Sequence, residues 1–116
     1  MIKTVNGDEL KSCLFENYFN ALVNNFFKIL PMKENKEKTL SVYVRSFQSE
    51  MLGLRSYVPS LDESPLFLSL LAILQFFADE PDAPVADVKR EVFKAIRICN
   101  RLAQAYSDNN ESEVVS

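Results

Sequence analysis

Arg90, Lys94, Arg97 and Arg101 recur at intervals of 4, 3 and 4 residues, which sets four cations along one face of a helix, with Lys89 at its edge. Guanidinium groups at that spacing suit anions. They offer a planar fork of donors to carboxylates on an acidic protein, or to the phosphates of a nucleic acid. A third outcome is a solvated face whose cations lie toward the helix C-terminus, where the helix dipole favours them. Asp87 and Glu91 offset the stripe only in part. No exposed aromatic residue is expected to interleave with it, which weakens single-strand binding by base stacking. The segment before this helix is acidic and holds Pro81 and Pro84, the wrong end to press against DNA as a helix-turn-helix would.

Other chemistry is thin. The chain has no histidine, which removes the commonest general base, the usual zinc ligand and any Ser-His or Cys-His nucleophile pair. Cys13 and Cys99 sit in separate apolar patterns and read as small buried hydrophobes rather than as a disulfide. Gly7 and Gly53 are far apart, so no glycine-rich phosphate loop exists. One helical enzyme design survives, a metal-dependent nucleotide hydrolase with carboxylates at i, i+3 or i+4 on facing helices. Only Asp87 and Glu91 meet that spacing inside a predicted helix, and the other acids read as solvated loops. The expectation is therefore no catalytic centre, no cofactor and no metal.

The middle of the chain is acidic. No basic residue lies between Arg55 and Lys89, while Asp62, Glu63, Asp79, Glu80, Asp82 and Asp87 all do. These are ordinary exposed loops or a patch for a basic partner.

The elements that must carry these residues follow from periodicity. The 116 residues fit one domain, and two glycines are too few for the turns of an all-β protein. A first helix is predicted from near Asn6–Asp8, with Asn6 and Glu9 spaced as a capping box, to Pro31. Its apolar rows are Leu10, Leu14, Tyr18, Leu22, Phe26, Ile29 and Phe15, Phe19, Val23, Phe27, Leu30. Residues 32–38 are charged and read as a connection. A second helix, about 39–57, has the seam Leu40, Val44, Phe47, Met51, Leu54, Val58. Ser64-Pro65 opens a third, apolar nearly all round and so central. Pro84 opens the fourth, with Val85, Val88, Val92, Ile96, Cys99, Ala103 and Tyr106 as its buried row.

The predicted fold is all-α, an antiparallel bundle of about four helices built as two αα-hairpins, first with second and third with fourth. Residues 1–107 form the single domain and 108–116 a disordered acidic tail. The first residues hold no signal-peptide pattern, and the longest apolar run, broken by Ser69 and Gln75, is too short for a membrane span of about 20 residues. A cytoplasmic location is expected. The net charge of −3 favours solubility and weighs against a dedicated nucleic-acid binder.

The functional expectation is a non-catalytic helical interaction protein: an adaptor, inhibitor or small subunit. It would self-associate, because the first and third helices carry more apolar surface than four helices comfortably hide. Its partner is a protein, or a second copy, met through Arg90, Lys94, Arg97 and Arg101. The alternative is a nucleic-acid-associated subunit that uses the same stripe. The nucleotide hydrolase is third.

Overall fold

A computed structural model of the chain describes the backbone of residues 2–115 and the side chains of residues 2–107. Four helices dominate: α1 Ser12–Glu34, α2 Leu40–Tyr57, α3 Pro65–Asp79 and α4 Val85–Val115. The expected tail, 108–116, lies outside the residues whose side chains are described.

The start of the chain departs from the helical expectation. Ile2–Lys3 (β1) pairs antiparallel with Glu9–Leu10 (β2), with Ile2 opposite Leu10 and Lys3 opposite Glu9. Val5-Asn6 makes the corner of the turn, closed by the Gly7 N–H donating to the Thr4 carbonyl at 3.0 Å. Gly7 adopts φ +86°, a left-handed conformation that strains any other L-residue. The Thr4 N–H donates to the Asp8 carbonyl at 2.9 Å, and the Val5 N–H reaches the Tyr57 carbonyl at 2.8 Å, tying the hairpin to the end of α2. Asn6 therefore caps nothing and Glu9 sits in a strand. A Val5-Asn6 turn followed by left-handed Gly7, with Ile2 in the core, outweighs a capping box whose helix would leave that isoleucine outside.

In α1 the buried row is Phe15, Phe19, Leu22, Phe26 and Ile29, at alternating four- and three-residue steps. Leu14 and Phe27, which sequence periodicity places beside it, are exposed. The helix also continues one turn beyond the expected stop at Pro31. A proline lacks a donor, but its carbonyl still accepts the Asn35 N–H at 2.9 Å, so the final turn survives. The α2 seam is as predicted, with Val44, Phe47 and Met51 buried and Leu40 and Leu54 packed against them. Gly53 faces open space, so no backbone approaches it closely.

A 3-10 turn, Pro59–Glu63, carries the fully buried Leu61 and leads into α3. The Ser64 hydroxyl accepts the Phe67 N–H at 3.2 Å, the predicted cap. As expected for a central helix, α3 buries Phe67, Leu70, Leu71, Ile73, Leu74 and Phe77. Along α4 the buried row is Val88, Val92, Ala95, Ile96, Ile98, Cys99, Leu102 and Ala103, whereas Val85 is exposed.

Neighbouring helices run antiparallel. Phe15 meets Tyr106 near one end of the α1–α4 pair and Phe27 meets Phe93 toward the other. Across α1 and α2, Phe26 packs on Phe47 at 4.8 Å between ring centroids, and the Tyr43 hydroxyl donates to the Asn25 carbonyl. The bundle of four helices is the predicted one, but the pairing inside it differs in part. The most extensive packing joins α1 to α4, α2 with α3 and the predicted pair α3 with α4 follow at nearly equal extent, and α1 touches α2, the other predicted pair, only lightly. Short loops make consecutive helices neighbours without ranking them. Here the 23 and 31 residues of α1 and α4 make these the longest helices, and long rows share most surface when laid lengthwise.

Candidate functional site: the basic flank of the last helix

The four cations of α4 are all exposed and point away from its buried row, as the spacing requires. They are not equivalent. The Arg90 side chain lies 3.6 Å from the Asp87 carboxylate and 3.8 Å from that of Glu91, so its charge is partly answered on its own helix. Among the described residues, no carboxylate lies within ion-pair distance of Lys94, Arg97 or Arg101. Three neighbouring cations without counter-charges thus occupy two helical turns, roughly 10 Å of axis.

Those three residues border a depression between α4 and α3. Leu66, Ser69, Lys94, Arg97, Ile98 and Arg101 line a hollow of about 350 Å³. A second of about 210 Å³ shares Ser69 and Lys94 and continues past Ala72, Ile73, Phe76 and Glu91. Together they form one groove. Its α3 wall, Leu66, Ser69, Ile73 and Phe76, advances by three, four and three residues, a single helical ridge. Ser69 turns its hydroxyl back to the Pro65 carbonyl at 2.9 Å, so even this polar residue shows the groove little polarity. From Pro65 to Ala78 no residue is charged. All the positive charge therefore sits on one lip.

The α3 ridge was not legible as part of a site. The available signal is that Ser69 and Ala72 are small residues in an otherwise bulky helix, which leaves room beside α4.

The acids do not converge. Asp62 pairs with Arg55 across the end of α2, and Asp79 accepts the Gln75 amide at 2.7 Å. Asp87 and Glu91, the pair a metal-dependent hydrolase would need, face Arg90. Among the described residues no group of three or more acids, cysteines or histidines could hold one ion. Exposed carboxylates do flank α3, with Asp62 and Glu63 before it and Asp79, Glu80 and Asp82 around its end.

Cys13 and Cys99 are both free, and burial pushes the Cys99 thiol up to about 12. Burial, helped by the charge of Glu50 and by Cys99, likewise raises the Tyr18 hydroxyl above its ordinary value. Both groups stay protonated at neutral pH, which suits packing rather than nucleophilic chemistry. The Thr4 and Tyr18 hydroxyls are buried without a hydrogen-bond partner.

Apolar groups are also exposed. On the other flank of α4, Phe93 meets Phe27 of α1 edge to face at 6.0 Å, with roughly two-fifths of each side chain open to solvent. Among the described residues no helix is long and apolar enough to cross a membrane. Comparison with protein-family models, curated proteins and solved structures finds no match.

Proposed function

We propose that this chain is a non-catalytic helical interaction protein, an adaptor, inhibitor or small subunit, that docks an acidic protein surface on α4. The observation that carries this reading is that, among the described residues, no carboxylate pairs with Lys94, Arg97 or Arg101 on α4. Fixed cations of one sign steer an acidic partner to the face and set its register. Two further features support a protein over a nucleic acid. The cations form a single row beside an uncharged wall, and carboxylates stand before and after α3, where a long polyanion following the groove would meet like charge.

Self-association belongs to the same proposal. The Phe27–Phe93 pair supports it, since an exposed aromatic pair gains by being covered. The molar mass across a dilution series tests that part, and a monomer at every concentration sinks it.

The docking surface is tested with a labelled glutamate-rich peptide beside single- and double-stranded oligonucleotides, at low and moderate salt. Wild-type protein should bind the peptide, and Arg97→Glu/Arg101→Glu should not. Oligonucleotide binding that weakens steeply with salt and vanishes in the variant would instead transfer the stripe to phosphates. No binding of either probe would leave the face merely solvated.

A further inference from the structure

We infer that the groove between α3 and α4 is a seat for one short amphipathic helix of a partner protein, apolar on one side and carrying carboxylates along one edge. The inference rests on the acidic-partner reading above and narrows it, from any acidic surface to an element of defined shape.

The groove has a polarity that an acidic loop or a flat acidic patch would not use. Leu66 and Phe76 of α3, both half-buried, offer apolar surface over a floor of the buried Ile73 and Ile98, with Ser69 and Ala72 leaving the space. Lys94, Arg97 and Arg101 stand on the α4 lip alone. A ligand that fills such a site needs an apolar face and, roughly a quarter-turn away, a line of negative charge. Cations at intervals of three and four match carboxylates at intervals of three and four on a facing helix, because both rows follow the same 3.6-residue turn. Helix-in-groove recognition works through such periodic anchors. A nucleic acid duplex, its base faces stacked inside, has no apolar face to offer this wall.

The length is bounded as well. From Leu66 to Phe76 the ridge covers ten helical steps, about 15 Å. Glu63 on one side and Glu80 and Asp82 on the other stand beyond the ends of that stretch, and Glu91, half-buried beside Arg90, lines the groove at its Phe76 end. A partner helix of about three to four turns fits between them. Acids beyond that length would meet like charge.

The test uses the whole protein and two synthetic peptides of about 14 residues with identical composition. In one, leucines recur at i, i+3, i+4 and i+7 with glutamates along one adjoining edge. In the other, the same residues are scrambled so that no face is apolar. Affinities are measured for wild type, Arg97→Glu/Arg101→Glu and Ala72→Phe, the last placing a ring in the groove from an exposed position. The patterned peptide should bind wild type at least about tenfold more tightly than the scrambled one. Ala72→Phe should remove that preference while leaving the scrambled peptide's weak binding in place. The charge reversal should weaken both peptides. Melting temperatures report whether the variants fold, and amide NMR shifts on wild type provide a readout that needs no variant. Shifts should concentrate on Leu66, Ser69, Ala72, Phe76 and Ile98.

Equal binding of the two peptides, or amide shifts confined to Lys94, Arg97 and Arg101, would overturn the helix-in-groove inference and leave the acidic-partner reading standing. Failure of both peptides to bind wild type would overturn both. A duplex oligonucleotide that displaces the patterned peptide at equal charge concentration would also overturn both, and favour phosphate.

Discussion

The two flanks of α4 solve different problems. Toward α1, aromatic rings close the joint. Phe19 lies fully buried with Tyr106 stacked on it at 5.7 Å, Tyr18 at 5.4 Å, Phe15 at 6.1 Å and Phe67 at 6.2 Å. Toward α3, Ile98 and Ile73 are buried, but Ser69 and Ala72 leave the joint open beside three long cations. One helix thus carries a filled seam and an open one. Rings that interdigitate leave no room for a ligand, and residues that leave room contribute little to cohesion. The cohesion of the bundle and the docking proposed for the groove are therefore separable on α4, because they fall on different sides of it.

The strongest way to break this comparison is to empty the filled seam. Phe19→Ala should cost about 3–5 kcal/mol, since it deletes a buried ring with four aromatic neighbours. Urea midpoints measure it. A loss below about 1 kcal/mol would mean that the seam collapses around the gap and is no tighter than the groove.

Alkaline pH probes the same seam with a smaller effect. The Cys99 thiol ordinarily titrates at 9.0 and burial pushes it up to about 12, and the Tyr18 and Tyr106 hydroxyls are also raised by burial. In each case the folded state holds its proton more tightly than the unfolded chain. The stabilisation is therefore whole below the unfolded value and is lost as pH rises through the folded one. Stability should fall from about pH 9 upward, with Cys99 alone contributing a slope of about 1.4 kcal/mol per pH unit. Urea midpoints between about pH 8 and 11 give the slope, and Cys99→Ala should make it shallower by one proton. A flat profile would show that water already reaches this flank.

Much of this architecture can be read from residue spacing. The α2 seam, the Ser64 cap, the central α3 and the outward face of the cations all follow from apolar period and cap chemistry, which are local. What could not be read is tertiary. At the chain start, the capping-box spacing of Asn6 and Glu9 competed with the turn preference of Asn6-Gly7. Only the burial of Ile2 and the bond from Val5 to Tyr57, at opposite ends of the first half, decide between them. In α1, two apolar rows were visible, but which members turn inward depends on where α4 lies, so Leu14 and Phe27 look core-facing until α4 is placed. The stripe on α4 was visible for the same local reason as the seams. Its groove was not, because Leu66, Ser69 and Phe76 belong to another helix and join Lys94 and Arg101 only through packing. Nor does spacing separate Arg90, which finds Asp87 and Glu91, from its three unanswered neighbours.

The smallest expected effect sharpens the comparison most. Arg97→Glu/Arg101→Glu removes two of the three cations from the open flank and should leave thermal and urea stability within about 0.5 kcal/mol of wild type. Both side chains are exposed and neither makes an ion pair with a described residue, so the folded state loses no interaction that the unfolded chain lacked. Surface pairs contribute little even where they form, as Arg90 does with Asp87. A drop approaching that of a buried residue would mean that these arginines pack across the groove, and that the flank described as open belongs to the core. Unchanged stability would mean instead that folding makes no use of these two charges.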